Sequence, residues 1–296
     1  MVLRNRFFVI HNPNAGQSAR RLYDDVLDRL RTAGSSVEVM TTARHGQGMT
    51  AAAKAAGSGD FDAVVAAGGD GTVHDVAEGL AGSSTPLGVI PMGTGNILAR
   101  ELNLSRTAAD MAKVLQAGRA QEIPVSTANG RPFLSIVGVG FDAAAVRAFD
   151  GRGARKLGQA GFVTPVLHAL GSHRDRPLRV TSPRGEAEAS WVMVVRLKRY
   201  AGNFMLAPDA DLTLPHFHAF SMMGQGPLNR IRQLSALVLG QLRHDPGVRV
   251  ERTDWLRIEG DGSTPVHMDG EMLGGLPLDL RIGAQKLWVL SPPVDR

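Results

Sequence analysis

The first 120 residues alternate short apolar runs with amphipathic stretches, and polar or glycine-rich turns mark the joints between them. Arg6 to His11 predicts a strand. Ser18 then caps a helix that places Leu22, Val26 and Leu30 on one face. Ser36 to Thr42 alternates Val37, Val39 and Thr41, a second strand, and the alanine-rich Met49 to Ala56 predicts a helix. Asp62 to Ala67 and Leu87 to Ile90 are apolar enough for buried strands. Thr72 to Leu80, Ile97 to Leu104 and Thr107 to Ala117 predict helices. Strand–helix alternation of this kind builds a parallel sheet with helices on both faces, because parallel neighbours need a crossover connection.

Near Ile123 the pattern changes. Short strands dominate from there: Arg131 to Val137, Leu178 to Thr181, Ser190 to Leu197, Val248 to Glu251, Trp255 to Ile258, Val266 to Met268, Leu278 to Ile282 and Leu287 to Leu290. Helical stretches at Ala154 to Leu170 and Leu228 to Leu242 interrupt them. Many short strands joined by Gly/Pro turns predict an antiparallel sandwich or barrel. A chain of 296 residues is long for a single core, and 43% hydrophobic content is enough for two. The expected division is an α/β domain over residues 1–122 and a β domain over 123–286. The chain has no cysteine, which excludes disulfides and thiolate metal sites and agrees with a reducing compartment. No run reaches 18 apolar residues, so no membrane span is expected, and the apolar start is too short for a signal peptide.

Three polar loops each follow a strand of the first half and precede a helix: Asn12-Pro13-Asn14-Ala15-Gly16, Gly68-Gly69-Asp70-Gly71-Thr72 and Pro91-Met92-Gly93-Thr94-Gly95-Asn96. In an open parallel sheet ligands bind beyond the carboxyl ends of the strands, where these loops fall. Glycines let backbone N–H groups approach phosphate oxygens, and Thr72 and Thr94 add hydroxyls. One such loop is equally a tight turn, but three on one sheet edge favour a phosphate cradle. Asp70 is the odd member, since a carboxylate beside polyphosphate repels it unless a cation lies between. The inference is a Mg²⁺–nucleotide complex with Asp70 touching the metal or its waters. A net charge of +5 favours anionic partners, without choosing among nucleotide, nucleic acid and lipid.

These loops match neither the Walker A pattern nor the dinucleotide fingerprint. They resemble those of the diacylglycerol kinase catalytic domain family, which includes bacterial lipid kinases and sphingosine and ceramide kinases. Asn12 to Gly16 resembles the family's N-P-x-x-G loop, Gly68 to Thr72 its G-G-D-G-T, and Pro91 to Asn96 its P-x-G-T-x-N. Gly138-Val139-Gly140-Phe141-Asp142-Ala143 is similar to G-x-G-F-D-A. Tyr200-Ala201-Gly202 with Leu206-Ala207-Pro208-Asp209-Ala210 is similar to Y-x-G…L-x-P-x-A, and Asp269-Gly270-Glu271 to the late D-G-E. The order of the motifs is more specific than any one of them, because G-G-D-G alone is shared with NAD kinases and phosphofructokinases.

The resemblance implies a β-sandwich second domain, a final segment 287–296 returning to the first domain, and ATP in the cleft between domains. It implies ATP contacts from Asn12, Pro13, Asn14, Ala15, Gly16, Gly68, Gly69, Asp70, Gly71, Thr72, Gly93, Thr94 and Asn96, with Thr42 a further contact by position. It implies that Glu271 accepts the proton of a lipid hydroxyl; from the residues alone Asp269-Gly270 is a hairpin turn and Glu271 a solvated strand residue. The implied function is an ATP-dependent lipid kinase using Mg²⁺ on a diacylglycerol-like or sphingoid substrate. It would be cytoplasmic and transiently bound to anionic membrane surfaces, with Arg152, Arg155 and Lys156 as the basic candidates, and no nucleic acid is expected as a partner. An NAD kinase-like enzyme and a catalytically impaired nucleotide- or lipid-binding regulator are the alternatives. Oligomeric state is not legible. Ile97 stands where the family often has Asp, and Ile123-Pro124 where it often has Ile-Asp. The family's structural Mg²⁺ pair falls on Leu214-Pro215, which argues against that metal. His216 and His218 alternate in a strand-like segment, as a metal pair or a surface feature.

Overall fold

A computed structural model describes residues 3–16, 19–44, 46–150, 163–201 and 204–293. Ser18, Gly202 and the basic candidates Arg152, Arg155 and Lys156 lie outside the described residues. Two compact units are present: residues 1–125 with 284–296, and residues 126–283.

The first unit opens with strand β1 (Arg6–His11), helix α1 (Arg20–Thr32), β2 (Ser36–Thr41), α2 (Gln47–Ser58), β3 (Ala63–Gly68), α3 (Asp70–Leu80) and β4 (Leu87–Pro91). Helices α4 (Ile97–Glu101) and α5 (Ala108–Ala117) follow, and then strand β5 (Arg119–Ala128). Strands run in the order β2-β1-β3-β4, all parallel, with β1 at the centre of the early strands. Helices sit on both faces because β1 alternates. Phe7 and Val9 meet Val26, Leu30 and Leu115 of α1 and α5, while Phe8 faces the side of α2. On α1, Tyr23, Val26, Leu27 and Leu30 are the buried face, so Leu22, assigned to that face from the sequence, sits at its rim. Strand β2 is mostly exposed, as befits an edge. The α4 helix stops at Glu101 instead of reaching Leu104, with Asn103 in the left-handed region.

The second unit contains β6 (Arg131–Phe133), β7 (Ile136–Val139), α6 (Phe141–Asp150), α7 (Val163–Ser172), β8 (Leu178–Ser182), β9 (Gly185–Ala189) and β10 (Trp191–Val195). It continues with β11 (Arg199–Tyr200), β12 (Phe204–Met205), β13 (Phe217–Met222) and α8 (Pro227–Val238). The last strands are β14 (Val248–Thr253), β15 (Trp255–Glu259), β16 (Val266–Met268), β17 (Glu271–Gly274) and β18 (Leu278–Ser291). One antiparallel sheet has the order β14-β13-β10-β7-β16-β17. A second layer is formed by β9, β8, β15 and the first residues of β18. Val137, Val139, Val192, Val194 and Phe217 from the first sheet interleave with Leu178, Val180, Leu256, Ile258 and Leu280 from the second. This is the antiparallel sandwich expected.

The other face of the six-stranded sheet is buried too. Trp191, Met193, Val195 and Phe220 pack under Phe141 and Ala145 of α6, Ala169 of α7 and Leu237 of α8. Burial on both faces explains why β10 reads as an unbroken apolar run instead of alternating. Helix α6 was not expected from the sequence. The segments Leu278 to Ile282 and Leu287 to Leu290, expected as two strands, form one strand that pairs with β15 in the second unit and, through Val289, with Leu87 in the first.

Candidate active site

In the first unit the three loops converge at the carboxyl ends of β1, β3 and β4. Asn12 donates its amide to the Thr72 hydroxyl at 3.3 Å, and its Oδ1 accepts the Asn14 N–H at 3.0 Å. Asn12 thus shapes its own loop and ties it to the second. Pro13 and Asn14 are exposed, with Ala15 and Gly16 half-buried. Gly16 has φ +49°, and a Cβ there would fall inside the Met92 carbonyl, so only glycine lets the first loop reach the third. A Cβ on Gly93 would come 2.7 Å from the Gly69 Cα, so the second and third loops touch backbone to backbone.

Asp70 begins α3 and clamps that junction. Its Oδ2 accepts the Asn96 N–H at 2.9 Å and its Oδ1 the Ile97 N–H at 2.6 Å. Asn96, in the left-handed region at φ 48°, closes its own loop by accepting from the Gly93 N–H at 2.9 Å and donating to the Gly93 carbonyl at 2.6 Å. Gly71 and Thr94 are exposed on this surface, and Gly68 lies buried at the end of β3. Thr42 sits beside the first loop at the end of β2, where its N–H donates to the His11 carbonyl at 2.8 Å and its hydroxyl leans on the same oxygen at 3.4 Å.

In the second unit Asp269 and Gly270 join β16 to β17 with φ of 50° and 91°, the positive pair that a type I′ turn requires. Asp269 does more than turn the chain. Its carboxylate accepts the N–H groups of Leu134, Ser135 and Ile136 at 2.7, 2.8 and 2.8 Å, together with the Ser135 hydroxyl at 2.6 Å. These bonds occupy the gap between β6 and β7, so the expected single strand Arg131 to Val137 is broken there. Glu271 follows as the first, exposed residue of β17.

A buried network lies under this turn. His267 Nε2 is 2.8 Å from Asp142 Oδ2, both side chains being 2% exposed, and the Tyr200 hydroxyl donates to Asp142 Oδ1. On its other side the ring receives the Gly270 N–H on Nδ1 at 3.4 Å, which turns Nε2 toward Asp142. Burial, then the neighbouring Asp142 carboxylate, holds the Tyr200 phenol well above its ordinary range. Gly138 has no side chain because a Cβ would strike both Asp142 and His267. The sequence named Asp142 only as part of a motif; its partners are 58 and 125 residues away along the chain.

The loop after Pro208 does not fit a divalent cation. The carbonyls of Leu212, Leu214 and His216 converge, as hard-cation ligands would, but the guanidinium of Arg196 fills the centre. Its Nη2 donates to Leu212 O at 2.7 Å, and its Nη1 to Leu214 O at 2.9 Å and to His216 O. Arg196 is 2% exposed, and burial, offset in part by Asp211, lowers its pKa to about 10, so it stays a cation at neutral pH. His218 is buried on β13 rather than at the surface, with Nε2 3.6 Å from Asp209 Oδ2. No group of three metal-ligating side chains occurs among the described residues.

The family profile described as "Diacylglycerol kinase catalytic domain" matches residues 6–128, and that described as "YegS C-terminal NAD kinase beta sandwich-like domain" matches residues 135–291. The chain belongs to the diacylglycerol kinase catalytic domain family. It is 28% identical over 278 residues to a diacylglycerol kinase of Bacillus subtilis (strain 168), covering 91% of this chain and 90% of that protein. It is 27% identical over 290 residues to a diacylglycerol kinase of Staphylococcus haemolyticus (strain JCSC1435), covering 96% of this chain and 87% of the relative. A crystal structure of a diacylglycerol kinase from Bacillus anthracis str. Sterne has the same fold, with TM-score 0.78, 22% identity and 98% of both chains covered. The chain is therefore a member of a kinase family, and no helix among its described residues is long and apolar enough to cross a membrane.

Proposed function

We propose that the chain is an ATP-dependent lipid kinase that transfers the γ-phosphate to the hydroxyl of a diacylglycerol-like or sphingoid lipid. The convergence of the three glycine loops on Asp70 is the observation that carries this reading. Backbone approaches that a single Cβ would block gather the loops around the α3 N-terminus, whose first N–H groups have no partner within the helix, and polyphosphate is favoured at such an end. The nucleotide contacts on this reading are Asn12 to Gly16, Thr42, Gly68 to Thr72, Gly93, Thr94 and Asn96.

On this reading the Asp70 carboxylate, which accepts the Asn96 and Ile97 N–H groups, is also the group that meets the cation or its waters. Mg²⁺ bound with ATP would supply charge neutralisation for the transferring phosphoryl group. Glu271 supplies the base. The lipid hydroxyl oxygen forms the new bond to the γ-phosphorus, the bond to the β,γ-bridging oxygen breaks to leave ADP, and the hydroxyl proton passes to Glu271. The Asp142–His267 pair and the Asp269 bonds hold the turn that presents Glu271.

A water-insoluble substrate is collected from a bilayer, so the reading includes transient binding to an anionic cytoplasmic membrane surface, favoured by the +5 charge. The test is transfer from radiolabelled ATP to a panel of diacylglycerol, sphingoid bases and NAD. Labelled lipid with unlabelled NAD is the expected result. Label on NAD alone points to the soluble-substrate reading, and ATP binding without transfer to any acceptor points to a regulator.

A further inference from the structure

We propose that the second unit carries an anion site for a phosphate group, in a cavity of about 350 Å³ between the start of α6, the end of α7 and the loop before β16. Arg147, Arg174 and Arg176 line it, with His173, Ser190 and Thr264. Arg176 is engaged by Asp261 and by the Ser263 hydroxyl. Arg147 and Arg174 are exposed lining residues with no carboxylate partner among the described residues.

The floor of the cavity holds polar atoms that the protein leaves unused. Thr264 is 3% exposed, and its hydroxyl has no hydrogen-bond partner. The His173 Nε2 is buried without one as well, 3.8 Å from the nearest Asp175 oxygen. Asp175 itself is committed to Arg230 at 2.6 Å and to the Gly226 N–H at 2.6 Å. Burial of the His173 ring lowers its pKa, a shift that Asp175 opposes and that Arg230, Arg147 and Arg176 reinforce.

Buried polar groups are nearly always paired, because an unpaired one forfeits its hydration. Two orphaned polar groups beneath unpaired arginines mark a place built for a ligand that supplies acceptors and negative charge. Planar guanidinium groups, a hydroxyl and an imidazole ring lining one cavity suit the several oxygens of a phosphate better than the two of a carboxylate. The volume exceeds that of inorganic phosphate and admits a glycerol-sized substituent. The shared chemistry is a phosphate mono- or diester, carried by a free metabolite or by a phospholipid headgroup. None of the lining residues is one assigned above to phosphoryl transfer, so the proposal does not depend on which acceptor the kinase uses.

The test titrates the full chain calorimetrically with inorganic phosphate and with glycerol 3-phosphate, and measures sedimentation with phosphatidylglycerol against phosphatidylcholine vesicles. Each is done for wild type, Thr264→Val and Arg147→Gln. Thr264→Val changes no charge and removes a hydroxyl that the fold does not use, so its thermal midpoint should be equal to or above that of wild type. It should nevertheless weaken anion binding by about 10-fold, as should Arg147→Gln, the usual loss for one charge-assisted hydrogen bond. Loss of soluble phosphate binding identifies a free ligand. Loss confined to phosphatidylglycerol vesicles identifies a headgroup. The proposal is overturned if wild type binds none of these probes, or if binding is unaffected by Thr264→Val. An effect of Arg147→Gln without one of Thr264→Val also overturns it, since that would mark a charged surface and not a site.

Discussion

At the scale of single residues, the proposed chemistry and the structure divide between neighbours in Asp269-Gly270-Glu271. Asp269 is spent on backbone N–H groups, whereas Glu271 is exposed at the start of its strand. Glu271→Gln keeps shape and hydrogen-bonding reach but cannot take the proton. It should lower transfer by about 10²–10⁴-fold, the usual loss of a general base, and leave ATP affinity within about twofold. Parallel loss of ATP affinity, measured by calorimetry, would instead make Glu271 a nucleotide ligand. Asp70→Asn should abolish transfer and also cost stability, because an amide offers one acceptor to the two N–H groups of Asn96 and Ile97 and turns a donor toward the other. The expected loss is about 1–3 kcal/mol by urea unfolding, with the chain still folded in its absence. Arg196 makes the loop after Pro208 independent of divalent cations. Without nucleotide, the thermal midpoint should be the same in EDTA as in millimolar Ca²⁺, while Arg196→Met, which orphans three carbonyls, should lower it by several degrees. A Ca²⁺-dependent midpoint that persists in Asp70→Asn would contradict this.

The elements that matter are the β16–β17 hairpin and the helices over the six-stranded sheet. The turn residues of the hairpin were legible as Asp-Gly, yet its rigidity comes from bonds to residues 134–136 and to His267. Asp269→Ala should therefore speed amide exchange at residues 134–136 and along β16 and β17, and reduce transfer with Glu271 still present. Unchanged exchange by mass spectrometry would show that the hairpin is held by its strand pairing alone. Helix α6 was not legible because its first residues, Phe141-Asp142-Ala143-Ala144, belong to a glycine motif that reads as a loop, and because its apolar face repeats mostly as alanine.

Across the whole molecule, acid should undo the fold through carboxylates in both units. Burial would raise the Asp62 carboxyl, but N–H bonds from Asn5 and Arg6 and the Arg6 guanidinium hold it below its ordinary value. Asp209 is likewise held down, against burial, by backbone hydrogen bonding and by His218, Arg243 and Arg252. A depressed carboxyl stabilises the fold above its unfolded value and loses that contribution as pH falls through the folded one. Unfolding followed by circular dichroism should thus begin below about pH 4, and Asp62→Asn should flatten part of that slope.

What the sequence determined by itself was local and periodic. The alternation of strand and helix, the glycine loops behind β1, β3 and β4, the Asp-Gly turn and the family motifs all lie within short windows, where side-chain type dictates backbone geometry. The tertiary structure decided where those windows meet. The loop-to-loop clamp of Asp70, the Tyr200–Asp142–His267 network, the guanidinium inside the loop carbonyls and the basic cavity above Thr264 each join residues far apart in sequence. The sheet was legible because its period repeats along the chain; these contacts were not, because a buried charge or donor finds its partner only once the fold has closed around it.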